Sequence, residues 1–284
     1  MLQFNKAVSS VFTLSTFVLL MALSACSSIG TSAGLSSESD GAEPLALDNA
    51  WSRSALAMPG TPAPMTLNEP QWQHFKLPGK LATDYAFARV DGRNAMAVTA
   101  ISSASLLRQK VHITPEELTQ IKFSWKVPAL ISMADLAIRE NDDSPVRIVL
   151  VFEGDRSRFS AKNAMLSELA HAISGEPLPY ATLMYVWCND RAPGSVIMSP
   201  RTDRIRKIVV ESGAKNLNLW MDYERNIRAD FEKAFGEAPG ALVGIGIMTD
   251  SDNTRTTTRA WYGQVKLAGV ASQQTAAPVV SPAF

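Results

Sequence analysis

The chain is written mostly in a two-residue rhythm. In "QIKFSWKV" (120–127), Ile121, Phe123, Trp125 and Val127 fall on one side and Lys122, Ser124 and Lys126 on the other. That alternation belongs to a strand with one buried face. Further strands are predicted at 85–91, 94–101, 106–113, 204–212 and 258–267, with Asp91-Gly92 as the turn between the first two. "VRIVLVFEG" (146–154) and "ATLMYVWC" (181–188) are nearly continuous apolar runs and predict central strands, and "ALVGIGI" opens another at 241–249. Two segments change to a helical period. In 160–174, Leu166, Leu169, Ala170 and Ile173 recur as an apolar stripe ended by Gly175; in 221–235, Tyr223, Ile227, Phe231 and Ala234 do so before Gly236. Short strands punctuated by turns predict a mainly β protein, a jelly-roll-like antiparallel β-sandwich with two or three peripheral helices.

The ends of the chain break this rhythm. Lys6 is followed by the apolar run 7–23 and then by "LSAC", Leu23 to Cys26. A short apolar run closing on small residues is a secretory signal rather than a spanning helix. The cysteine after Leu-Ser-Ala resembles the bacterial lipoprotein signal, which implies cleavage of 1–25 and acylation of Cys26. Ser27, with no aspartate there, implies sorting to the periplasmic face of the outer membrane. Residues 26–66 are rich in Ser, Gly, Ala and Pro and read as a flexible tether. Residues 269–284 read as a disordered tail, which leaves 67–268 as a single β-sandwich domain.

Composition narrows the classes. Lys and Arg total 27 against 27 Asp and Glu, with no basic block, which argues against nucleic acid as a partner. Once Cys26 is acylated, Cys188 is left as the one thiol, read as a small buried hydrophobe. His74, His112 and His171 stand in no metal-ligand spacing, and neither a G-x-S-x-G elbow nor a Gly-rich phosphate loop occurs.

The densest polar stretch is "DSDNT" (250–254). Counted as an EF-hand loop from Asp250 it puts Arg255 where Gly is needed and Trp261 where the last ligand should be. Asp250, Asp252 and Asn253 still cluster hard oxygens, so a calcium site of another kind, a ligand rim and an ion-paired turn with Arg255 or Arg259 all remain open. Asp143 lies in a second acidic run, "ENDDSPVR", where Arg147 alternates away from Ile148 and offers either a buried Arg–Asp pair or a polar groove. Trp125, Lys126, Arg147, Tyr185, Trp187, Trp220 and Trp261 are the groove candidates, joined by Asp143, Asn189, Arg225, Asp250, Asp252 and Asn253. Aromatic platforms take sugar rings while charged and amide groups take hydroxyls. Carboxylates for glycoside chemistry could come from Asp143, Glu153, Asp250 and Asp252.

Five segments in order, "ISSASLLRQKVHI" with "FSWKV", "NDDSPVRIVLVF", "LMYVWCN", "VVESGAKNLNLWMDYERNIRADFEKAFG" and "GIGIMTDSDNTRTTTRAWYGQVKL", resemble an uncharacterised family of bacterial exported proteins, domain of unknown function 3047. The resemblance covers about residues 70–268 and implies one domain without implying an activity. The expectation is a lipid-anchored envelope protein whose non-catalytic domain binds a glycan or other envelope polymer. The alternatives are a polysaccharide hydrolase or lyase and an envelope protein-interaction module. The membrane, reached through Cys26, and a glycan or envelope protein are the expected partners, and calcium is the candidate ion.

Overall fold

The alternating segments pair into two seven-stranded sheets packed face to face. The computed structural model describes residues 72–268 together with Glu43–Pro44, Trp51 and Leu56–Ala57. The first sheet takes β1 (Glu43–Pro44), β2 (Leu56–Ala57), β4 (Asp84–Val90), β5 (Arg93–Ile101), β7 (Gln120–Lys126), β12 (Trp220–Asn226) and β14 (Thr257–Ala268). Their order is β1-β4-β5-β14-β7-β12, with β2 beside β14. The second takes β3 (Gln73–Lys76), β6 (Ala104–Ile113), β8 (Ser144–Phe152), β9 (Ala181–Cys188), β10 (Val196–Met198), β11 (Ile205–Ser212) and β13 (Leu242–Asp250), in the order β10-β11-β9-β8-β13-β6-β3. Pairing is antiparallel except for β9 with β11 and β2 with β14. The protein is therefore mainly β, as its period predicts.

The inward residues of β7, Ile121, Phe123 and Trp125, meet Ile148, Leu150, Leu183 and Tyr185 of the other sheet in one core. The Phe123 and Tyr185 rings stack at 5.5 Å. Tyr262 crosses the whole interior from β14. Its hydroxyl accepts from the Arg147 amide (3.1 Å), lies 2.9 Å from Thr249 Oγ1 and donates to the Met248 carbonyl. A register shift between Met248 and Asp250 on β13 interrupts the β8 ladder there, so a side chain from the opposite sheet completes the hydrogen bonding.

Two helices are present among the described residues, and both differ from their expected form. α1 (Ala161–Ser174) is N-capped by Ser160 and closed by left-handed Gly175, but it turns Asn163 and Ser167 inward. Asn163 is held there by Asp203 and Thr202, so Leu169 (53 % exposed) and Ile173 (60 %) face outward instead of packing. The second helix, α2 (Ile227–Phe235), begins later than expected. The "WMDYERN" segment before it is strand β12, because Met221 and Tyr223 alternate with Asp222 and Glu224 and can pair with β7. Asn226 ends the strand by capping the helix, accepting from the Ala229 amide at 2.9 Å.

Part of the expected tether is built into the fold. Trp51 is fully buried, and its indole N–H donates to the carbonyls of Tyr262 (3.0 Å) and Gly263 (3.1 Å), where β14 bulges. Glu43–Pro44 and Leu56–Ala57 pair with β4 and β14. The signal reading of 1–25, Cys26, the remainder of 26–66 and the tail 269–284 lie outside the described residues. Trp51→Ala removes a buried indole and leaves two carbonyls unpaired, so chemical denaturation should show a loss of about 3–5 kcal/mol. A loss under about 1 kcal/mol would place Trp51 outside the cooperative core.

Candidate functional site

Arg147 faces out of the second sheet because Val146 and Ile148 face in. It is nevertheless only 3 % exposed, since the chain between β7 and β8 folds back over that face. Its Nε donates to Asp250 Oδ1 (2.8 Å) and its Nη2 to Asp250 Oδ2 (2.9 Å), a two-pronged pair. Nη2 also donates to the Asp142 carbonyl (2.9 Å) and Oδ1 (3.1 Å). Lys207 on β11 closes the set, donating to Asp142 Oδ1 (2.6 Å) and the Leu136 carbonyl (2.7 Å). The covering loop is fixed by Asn189, whose amide donates to the carbonyls of Ile131 and Ala134, and by the Arg191–Asp135 ion pair. Burial pushes the Asp250 carboxyl up to about 6 against the pull of Arg147. Burial, and then the Arg147 charge, push Lys207 down to about 8. Burial opposes the Arg147 charge as well, yet Asp250 and Asp142 hold its guanidinium above the ordinary range.

The "DSDNT" loop is bound into the same corner. Asp143 accepts from the amides of Asn253 (3.2 Å) and Thr254 (2.7 Å) and from the Thr254 hydroxyl (2.7 Å). Asp252 pairs with Lys80, and the Asn253 side-chain amide donates to the Arg139 carbonyl. Lys80 and Arg147 thus take the role expected of Arg255 and Arg259. One oxygen each of Asp143, Asp250 and Asp252 lies within 4.8 Å of the others. Each carboxylate is already engaged, so an ion would have to displace Arg147, Lys80 and the loop amides, and the set fits calcium poorly. The carboxylates expected for glycoside chemistry do not flank a cleft. Asp143 and Asp250 are buried, and exposed Glu153 stands by Ala241, at the far end of β13 from Asp250.

An open cleft lies on the solvent face of the first sheet, enclosing about 560 Å³. Register maps it in rows. Trp261, Lys126 and Trp220 stand opposite one another on β14, β7 and β12, and Lys266, Lys122 and Glu224 form a second row on the same strands. Ser124 and Asp222 lie between them, beside Gly263 and Gln264 of the β14 bulge. Arg93 on β5 has two strands between it and β12, yet it reaches Asp222 at 3.0 and 3.1 Å and lies 5.3 Å from the Trp220 ring centre. The sheet is therefore concave on this side. Gly263 makes the curl possible, because a Cβ there would collide with Ser124 Oγ and meet the Trp220 ring. Lys126 pairs with Asp91 (2.7 Å) and lies 5.8 Å from the Trp261 ring centre.

Of the expected groove residues, Lys126, Trp220 and Trp261 belong to this face. Trp125, Tyr185 and Trp187 do not; all three are core, because they occupy the inward positions of central strands. Tyr185 donates to Asp230 (3.0 Å), Trp187 to the Gly213 carbonyl (3.0 Å), and Arg225 pairs with Asp230 at the start of α2. Asp143, Arg147, Asn189, Asp250, Asp252 and Asn253 are joined to the loop or corner on the other sheet. Arg93, Lys122, Asp222, Glu224, Gln264 and Lys266 are the lining that sequence reasoning missed. The alternation of "WMDYERN" carries the signal for Asp222 and Glu224.

A family model described as "Protein of unknown function (DUF3047)" matches residues 70–266. No curated protein matches the chain. Among solved structures, the xyloglucanase domain of NopAA, a type three effector from Sinorhizobium fredii in complex with cellobiose, is similar over 72 % of this chain and 96 % of its own. Its identity is 9 % and its TM-score 0.36, a likeness that supports neither a shared ligand nor a shared reaction.

Two outcomes follow for the corner. Between about pH 8 and 10 the unfolded chain holds more protons at Lys207 than the native state, so stability should rise with pH in that window. Melts of Lys207→Met should lack that rise. Calcium added after EDTA treatment should leave the melting temperature unchanged. A site filled at a hundred times its Kd would add about 2.7 kcal/mol, or roughly 5–10 °C, and a shift of that size abolished by Asp252→Ala would overturn the ion-paired reading.

Proposed function

The chain belongs to the DUF3047 family of proteins of unknown function, and on that premise we propose that it is a lipid-anchored envelope protein that holds a glycan or other envelope polymer without turning it over. The observation that carries this reading is the concave face of the first sheet. Two tryptophans flank it, and its floor of Ser124, Gln264 and ion-paired side chains offers donors and acceptors to hydroxyls. The cleft runs out over β12, the last strand of that sheet, so an extended polymer can lie across it without being enclosed. Stacking of a ring on Trp220 or Trp261 suits a sugar's C–H face, and the charges beside the two tryptophans are paired, Arg93 with Asp222 and Lys126 with Asp91. Cys26 supplies the anchor in this reading.

The full-length chain in detergent should be retained by isolated cell-wall sacculi or by a purified surface polysaccharide, with its tryptophan fluorescence changing on binding. Trp220→Ala together with Trp261→Ala should reduce retention about tenfold or more while the melting curve stays two-state. Failure to be retained by any of these polymers removes the proposal.

A further inference from the structure

The charge pattern in the cleft goes beyond general hydroxyl recognition. Lys266 and Lys122 are directly opposite on β14 and β7 and point to the same face. Like charges so placed repel and destabilise a sheet. Only one of them is relieved within the fold, because Lys122 meets Glu224 at 3.1 Å whereas Lys266 has no ion-pair partner among the described residues. The bulge at Gly263 and Gln264 keeps this pair on the concave side, with Arg93 supplying a third cation across the cleft. Three cations face two carboxylates, Asp222 and Glu224, in one open depression. The Trp261–Lys126–Trp220 row lies four residues further along β7, about 13 Å away at roughly 3.3 Å per residue.

We infer that the cleft takes an acidic glycan, with a fixed anionic group of one repeat unit, carboxylate or phosphodiester, seated between Lys122 and Lys266 and a ring of a neighbouring unit on the tryptophan row. This rests on the polymer-binding reading of the same face and names the chemical class it selects. An anion between the two lysines removes the cross-strand repulsion, so the ligand's charge is matched by a feature that is unfavourable in its absence. Lysine holds either anion as a point charge, so the pair selects for negative charge and not for one geometry.

The test is binding of the full-length chain to three probes: a polyuronate, the same polymer with its carboxyl groups reduced to alcohols, and a phosphodiester-linked glycan. At least one acidic probe should bind tenfold or more tighter than the reduced polymer, and its binding should weaken as salt rises from about 50 to 300 mM. Lys266→Gln should erase most of that preference, weakening the acidic probe far more than the reduced polymer. Lys266 is exposed and has no ion pair among the described residues, so this variant is expected to fold, and Lys122→Gln with Glu224→Gln provides a second, charge-balanced change. Which acidic probe binds separates the carboxylate source from the phosphodiester one. Equal binding of acidic and reduced polymers overturns the inference and leaves polymer binding standing. An acidic preference that survives both variants overturns the site. Binding of none of the probes, nor of any sacculus or surface polymer, sinks both.

Discussion

The bidentate pair between Arg147 and Asp250 is the contact on which the arrangement of the two sheets turns. Asp250 ends β13 in the second sheet, and after six intervening residues β14 begins in the first. The pair fixes the point at which the chain changes sheets. Its members are too buried to be solvated, so every neighbour must supply a partner: Asp142 and Lys207 extend the network, Asp143 ties the connecting loop, and Asn189 holds the covering segment. Removing one member of such a set leaves another charge buried and uncompensated, typically at a cost of about 3–5 kcal/mol. The acidic residues that look most like chemistry in the sequence are thus committed to shape.

That shape sets the concave face. Tyr262 reaches from β14 through the core to the amide of Arg147, and the next residue is Gly263, where β14 bulges. The bulge frees two carbonyls for Trp51 on one side of the sheet and lets Ser124 and Trp220 close in on the other. The corner, the bulge and the cleft are successive consequences along one stretch of chain, 250–266.

How much of this the sequence discloses depends on whether a residue's role is local. The strand period of 120–127 and 181–188 is local, and both strands stand where the pattern places them. Trp125 shares the apolar phase of Ile121 and Phe123, whereas Trp187 stands in a continuous apolar run that carries no local sign of which face is solvent. The sheet opposite settles the phase of Trp187, and both side chains are core and not platform. Tyr223 fits a helical stripe with Ile227 and Phe231 and also a strand phase with Met221. Pairing with β7 decides between them, and its partner there, Phe123, lies 100 residues away in sequence. α1 inverts its expected stripe for the same reason, since Asn163 finds Asp203 and Thr202 only after folding. The Lys122–Lys266 opposition is a fact of register across 144 positions, beyond any windowed reading.

The last hairpin of the described chain fills an interior slot in each sheet, β13 between β8 and β6 and β14 between β5 and β7. Until those residues emerge, β6 and β8 have no bridge between them, and neither have β5 and β7. A partly synthesised chain therefore carries two incomplete sheets with four open strand edges, and contacts of such long sequence separation close slowly. The domain must complete itself from its C-terminal end, so a chain shortened before β13 has no native core to fall back on, and holding the nascent segments apart becomes a requirement of its biogenesis.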